Sequence, residues 1–136
     1  MENSLTLILP SSFESIEQIV DEVETFFGPY CSDDLLYKLQ LLASEAVTNG
    51  IEHGNNYDDG KNVTVVFMVS EERTVVSVED QGMGFDRARV SNPTEGDHLL
   101  DSGGRGLFLM ERMADDVSYD LNGRRVTITL LRGSDA

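Results

Sequence analysis

SEAVTNGIEHG, residues Ser44–Gly54, is the stretch on which the reading of this chain turns. It ends a longer periodic run. Leu35, Leu39, Leu42, Ala43, Ala46 and Gly50 recur at three- and four-residue spacing, which predicts a helix opening at Ser32 or Asp33 and running to about His53. Glu45, Asn49 and His53 recur every four residues and so share a second stripe on that helix. Glycine in mid-helix costs about 1 kcal/mol against alanine, so Gly50 signals a close approach of something to the helix. Gly54 stops the helix, and Asn55–Gly60 is turn chemistry.

The flanks supply a sheet. Ser4–Leu9 is short, apolar and β-rich, and Pro10 ends it. Ser11–Phe27 reads as a helix with Phe13, Ile16, Ile19, Val20, Val23, Phe26 and Phe27 on its apolar side, a Ser11/Glu14 capping box and a Gly28-Pro29 stop. Val63–Val69 and Thr74–Asp80 read as strands around a Glu71–Arg73 turn. Gln81–Gly103, with four glycines and one proline, reads as a long loop of the kind that forms lids. Gly104–Ala114 reads as a third helix, and Val117–Leu121 with Arg124–Leu131 as a hairpin about Asn122-Gly123. Hairpin-linked strands with three helices predict an α/β two-layer sandwich, a mostly antiparallel mixed sheet covered on one face by helices. With no repeat or low-complexity linker, 136 residues are expected to form a single domain.

Composition narrows the function. Twenty-five Asp plus Glu against ten Lys plus Arg give a net charge of −15, which argues against direct nucleic-acid binding and against an anionic membrane surface. A single cysteine, Cys31, excludes an internal disulfide and a cysteine-based zinc site. No apolar run reaches the ~20 residues of a membrane span. The N-terminus lacks the positive start of a secretory signal. The expected location is the cytoplasm.

Familiar phosphate loops fail. Gly54 to Gly60-Lys61 has one residue too many for a P-loop, and Asn62 follows the lysine. Gly82 and Gly84 are followed by Arg87, and Gly104 and Gly106 by Leu109, where a dinucleotide fingerprint needs glycine. An EF-hand from Asn55 would place Tyr57 and Val66 at ligand positions. Three segments remain: SEAVTNGIEHG, VEDQGMGFD (Val78–Asp86) and SGGRGLFLM (Ser102–Met110). Asn49 offers a hard oxygen suited to Mg²⁺, and Glu45, one turn away, can polarise a hydroxyl. His53, beside Gly54, suits a helix C-terminus better than a ligand set. Asp80 ends a strand and can accept from an exocyclic amine, with Gly82 and Gly84 allowing close approach. The glycines around Arg105 lead into a helix whose free amides suit phosphate.

Taken in order, these segments resemble the Bergerat-fold (GHKL) ATP-binding domain, and most closely the small bacterial anti-sigma factor serine kinases. Glu45-x-x-x-Asn49 resembles the N box, Asp80-x-Gly82-x-Gly84 the first glycine box and Gly104-x-Gly106-Leu107 the second, with an ATP lid at about 81–103. The resemblance runs from about Leu5 to Leu131. It implies that Asp80 accepts from adenine, with Gly82 and Gly84 lining the base pocket. It implies that Asn49 holds Mg²⁺ against the triphosphate, that Gly104, Arg105 and Gly106 cradle phosphates, and that Glu45 is the catalytic base. Gly50 stands where the family's pattern leads one to expect alanine, and no lysine lies near the glycine clusters, so the basic contact falls to Arg105. The implied activity is an ATP- and Mg²⁺-dependent protein serine/threonine kinase acting on an antagonist (anti-anti-sigma) protein. The implied partners are that protein, a sigma factor held inactive, and a second copy in a homodimer. A nucleotide-sensing binding module without phosphoryl transfer and a stand-alone histidine-kinase-like ATPase domain are the competing readings. Glu45 disfavours the first, and the lack of a phosphoacceptor helix pair disfavours the second.

Overall fold

A computed structural model describes residues 2–82 and 110–133. Its elements are β1 (Glu2–Pro10), α1 (Phe13–Phe27), α2 (Asp33–Asn49), β2 (Asn62–Ser70), β3 (Arg73–Glu79), β4 (Asp116–Asp120) and β5 (Arg125–Leu131). The strands form one sheet in the order β1-β2-β3-β5-β4, and each described pairing is antiparallel.

Alternation decides which face is covered. Val63, Val65, Phe67 and Val69 are buried while the residues between them face outward. Register extends this across the sheet: Leu5, Phe67, Val76, Ile128 and Val117 form one inner row, and Leu7, Val65, Val78, Val126 and Tyr119 the next. Onto this face α1 presents Ile19, Val23 and Phe27, and α2 presents Leu35, Leu39, Leu42, Ala43, Ala46 and Val47. Burying each large aliphatic or aromatic side chain contributes roughly 1.5–3 kcal/mol. Phe27 packs edge-on against Phe26 at 4.9 Å and against Phe67 at 5.1 Å, tying α1 to the middle of β2.

The local differences from the sequence reading have physical causes. Ser11 is not the α1 cap. Ser12 takes that position without a side-chain cap bond, because the Ser11 hydroxyl donates to Lys61 O at 2.7 Å. Phe13 keeps the apolar period but is 69% exposed, its ring 5.2 Å from that of Tyr57. Ser32 caps α2, accepting from Leu35 N at 3.1 Å. The α-helical ladder of α2 stops at Asn49, and Gly50–Gly54 continues as a wider π-helical turn. Asn122-Gly123 lies inside a longer loop in which Leu121, Asn122 and Gly123 all have positive φ, so the hairpin closes on the Asp120–Arg125 pair. Of the expected third helix, 110–113 is described and helical, with Met110 in the core. Ala114 is described and lies past the helical residues, while 104–109 of that helix and the proposed lid from residue 83 onward lie outside the described residues.

Candidate functional site

Asp80 continues the inward alternation of Thr74, Val76 and Val78 one step past β3. A carboxylate therefore occupies a position whose period calls for an apolar side chain, and it is only 4% exposed. Its backbone N–H donates to Arg124 O at 2.8 Å, which anchors it to β5. Its Oδ1 accepts from Gly82 N at 2.9 Å, which turns the chain back over the carboxylate.

Two glycines make that turn possible. A Cβ on Gly54 would overlap the Asp80 carboxylate, and one on Gly82 would overlap the Gly54 carbonyl oxygen. Gly54 thus lies against the Asp80 carboxylate and its carbonyl against the Gly82 backbone, a packing that requires glycine at 54 and 82. Gly50 is a different case. A Cβ there would sit 3.5 Å from Val63 Cγ2 and 3.6 Å from Asp80 Cβ, an ordinary contact. The neighbour that Gly50 approaches is therefore Val63 and the root of Asp80.

Asn49 precedes Gly50 and is 3% exposed, and its Nδ2 has no hydrogen-bond partner among the described residues. Leaving a buried amide unsatisfied costs about 1–3 kcal/mol, and such exceptions call for a reason. An acceptor such as a phosphate oxygen would satisfy Nδ2, and Mg²⁺ would take the Oδ1 of the same amide, since an N–H cannot ligate a cation. Glu45, one turn earlier, is half-buried. His53 is exposed at the helix end. Among the described residues no group of three or more His, Cys, Asp and Glu could hold a metal ion. The fold thus brings Asp80 and Gly82 against Gly54 and Gly50, the residue after Asn49, with Glu45 one turn earlier on the same helix. Gly84, Gly104, Arg105, Gly106 and Leu107 lie outside the described residues.

The chain matches the family described as the histidine kinase-like ATPase domain over residues 9–131. It belongs to that family. The serine-protein kinase RsbW of Bacillus velezensis is 36% identical over 109 residues, 76% of this chain and 67% of the relative. The RsbW of Bacillus subtilis strain 168 is 33% identical over 105 residues, 73% of this chain and 65% of the relative. That of Listeria monocytogenes serotype 4a is 35% identical over 97 residues, 65% of this chain and 62% of the relative. The matches thus span about two-thirds of the relatives' own length.

As a histidine kinase-like ATPase domain the chain uses nucleotide, and its helices on an antiparallel sheet are the matching architecture. No helix among the described residues is long and apolar enough to cross a membrane. The sequence reading missed Asn55, taken only as part of a turn. It is 1% exposed, its Nδ2 donates to Ser11 Oγ at 3.0 Å and Asn62 O at 2.9 Å, and its Oδ1 accepts from Gln81 N at 2.7 Å. The available signal was an asparagine directly after the helix-stopping Gly54, but its partners are too distant in sequence for pattern reading to supply them.

Proposed function

We propose that this domain transfers the γ-phosphoryl group of ATP to a serine of a partner protein, the activity that the name serine-protein kinase gives to its relatives. The observation that carries the proposal is the close packing of Gly54, Asp80 and Gly82, together with the buried, unpartnered Asn49 Nδ2 next to Gly50, the glycine that faces Asp80 Cβ. Asp80 accepts from the adenine amino group, with Gly82 and Gly84 against the base. Asn49 would hold Mg²⁺ through its Oδ1, and the ion would offset triphosphate charge. Gly104, Arg105, Gly106 and Leu107 are assigned to the phosphates on the strength of the motif resemblance, with backbone amides and one guanidinium as the donors. Glu45 accepts the serine proton as the hydroxyl oxygen bonds to the γ-phosphorus. The bond from that phosphorus to the bridging oxygen breaks, and ADP leaves with the electron pair.

The phosphorylated partner on this reading is an antagonist (anti-anti-sigma) protein, the second partner is a sigma factor held inactive, and the working unit is a homodimer of single-domain chains in the cytoplasm. Support for these finer points is the resemblance of the three motifs; the net charge of −15 opposes self-association unless the contact is apolar or charge-complementary. The test is incubation of the purified protein with γ-labelled ATP, Mg²⁺ and a cell extract. An acid-stable, alkali-labile phosphoprotein of small size is the expected product. Tight ATP binding with no labelled serine would replace this reading with a nucleotide-sensing module.

A further inference from the structure

Beyond the last register pair of β2 and β3, Thr64 with Glu79, the two strands are no longer joined directly in the same way. The Asn55 side-chain amide lies between them, donating to Asn62 O and accepting from Gln81 N. The Gln81 side chain closes the ring, its Oε1 accepting from Asn62 N at 2.6 Å. A primary amide presents a donor and an acceptor side by side, as a peptide group does. It can therefore stand in for a strand where none is present. The same Nδ2 reaches Ser11 Oγ, and Ser11 donates to Lys61 O, so the amide is held from the β1–α1 junction as well.

Gln81 sits between the two groups that make the base site. On one side is the Asp80 carboxylate and on the other the Gly82 backbone that bonds to it. We propose that Asn55 is a positioning residue. By spacing the ends of β2 and β3 it sets where Asp80 and Gly82 stand against Gly54, and through them it sets the choice of adenine over guanine. The inference rests on the nucleotide reading above. Asn55 touches neither base nor phosphate in this account and acts only through Gln81 and its neighbours.

The physical case is one of tolerance. Gly82 already approaches the Gly54 carbonyl too closely for any Cβ, so a small shift of the strand end must move the carboxylate. A hydrogen bond to a misplaced carboxylate weakens steeply with angle. Loss of the Asn55 bond to Gln81 should then appear in base discrimination before it appears in the transfer step.

The experiment compares Asn55→Ala, Gln81→Ala and Ser15→Ala with the parent chain by calorimetric titration of ATP and GTP with Mg²⁺, thermal melting and amide hydrogen exchange without nucleotide. Ser15 is a matched control. It is buried and donates to Pro10 O at 2.7 Å at the same junction, but it does not contact Asn55. Asn55→Ala is expected to weaken ATP by ~10-fold and to narrow the ATP-over-GTP ratio, with faster exchange at Gln81 and Gly82. Gln81→Ala, at an exposed position that folding tolerates, should shift the same quantities in the same direction by less. Ser15→Ala should melt lower yet keep its ATP affinity and ratio. If Asn55→Ala does not fold, Asn55→Ser decides, since its short hydroxyl cannot bridge Asn62 O and Gln81 N together. If Asn55→Ala merely melts lower, like Ser15→Ala, with unchanged affinity, ratio and exchange, the positioning role is overturned. A parent chain that binds no nucleotide would instead sink the kinase reading, and unchanged exchange at Gln81 and Gly82 would independently sink the placement of the strand end.

Discussion

Asp80 and Asp120 both stand at the ends of strands, and they show opposite ways to use a carboxylate. Asp80 is buried, accepts from the Gly82 amide and lies against the Gly54 backbone. Asp120 lies on the β4–β5 edge with its side chain 50% exposed, where Arg125 Nε donates to Oδ1 at 2.8 Å and the guanidinium also reaches Oδ2. The buried group has little water to turn to, so its surroundings must satisfy it. The exposed pair has good geometry, and water competes for both ends, so its worth to the fold is small. The same contrast holds for cavities. The groove at the far end of the sheet, around Ser70 and Arg73, is framed by exposed Glu2, Glu71 and Glu72. The Asp80 end, with its buried polar groups, is where specific chemistry can be held.

The largest effect at the site end belongs to Glu45. Glu45→Gln is expected to lower serine phosphorylation by ~10²- to 10⁴-fold while leaving ATP affinity within about twofold, a loss felt only in the transition state. Single-turnover transfer with a calorimetric titration checks both halves. If affinity falls with transfer, Glu45 supports the fold of α2 instead.

Asp80→Ala and Asp120→Ala test the comparison directly. The first should weaken ATP by ~10- to 100-fold, since a charge-assisted hydrogen bond contributes roughly 1.5–3 kcal/mol, and should erase the preference over GTP. The second should leave ATP binding unchanged. Equal affinity of the parent chain for ATP and GTP would remove the adenine role from Asp80.

Next in size is a pair of glycines. Gly82→Ala must push the strand end off Gly54 and is expected to cost ~1–3 kcal/mol in urea unfolding, the usual range for overpacking. Gly50→Ala meets only ordinary contacts at a helical backbone, with φ −63° and ψ −42°. It should be neutral or stabilise by up to ~1 kcal/mol. Equal losses at both would mean that Gly50 is as crowded as Gly82.

What the sequence showed and what it hid divide along the same physical line. The two periods, 2 in Val63–Val69 and 3.6 in Leu35–Ala46, report burial directly, so the sheet, both helices and the covered face were legible. Asp80 was legible because a charge interrupts an apolar alternation and glycine follows. The Ser11 misreading is instructive. Ser-x-x-Glu is a local pattern, yet the Ser11 hydroxyl is taken by Lys61 and Asn55, 50 and 44 residues away. Asn55 was hidden for the same reason. Phe13 kept the helical period, but its ring packs on Tyr57 instead of entering the core. The π-helical turn at Gly50–Gly54 has no periodic signature of its own, since it follows from Gly54 having to rest on Asp80.

The smallest effect expected is the pH response of the exposed pair. The Arg125 guanidinium holds the Asp120 carboxyl below its ordinary value, first through the side-chain hydrogen bond and then through charge. Asp120 in turn raises Arg125. A depressed carboxylate favours the folded state above its unfolded pKa of about 3.9 and loses that contribution as pH falls through the lower folded value. Arg125 loses its share only as pH rises past the ordinary arginine range. Between these limits both groups stay charged, so the pair adds no slope to stability near neutral pH. Asp120→Asn should therefore lower the melting temperature slightly and equally at pH 6 and 8, and the difference should shrink in about 1 M salt, where the Debye length is only ~3 Å. Once pH falls below the depressed Asp120 value, variant and parent should converge. A large, salt-insensitive drop at neutral pH would place Asp120 with Asp80 among the groups the fold depends on, and would break the contrast between the two ends.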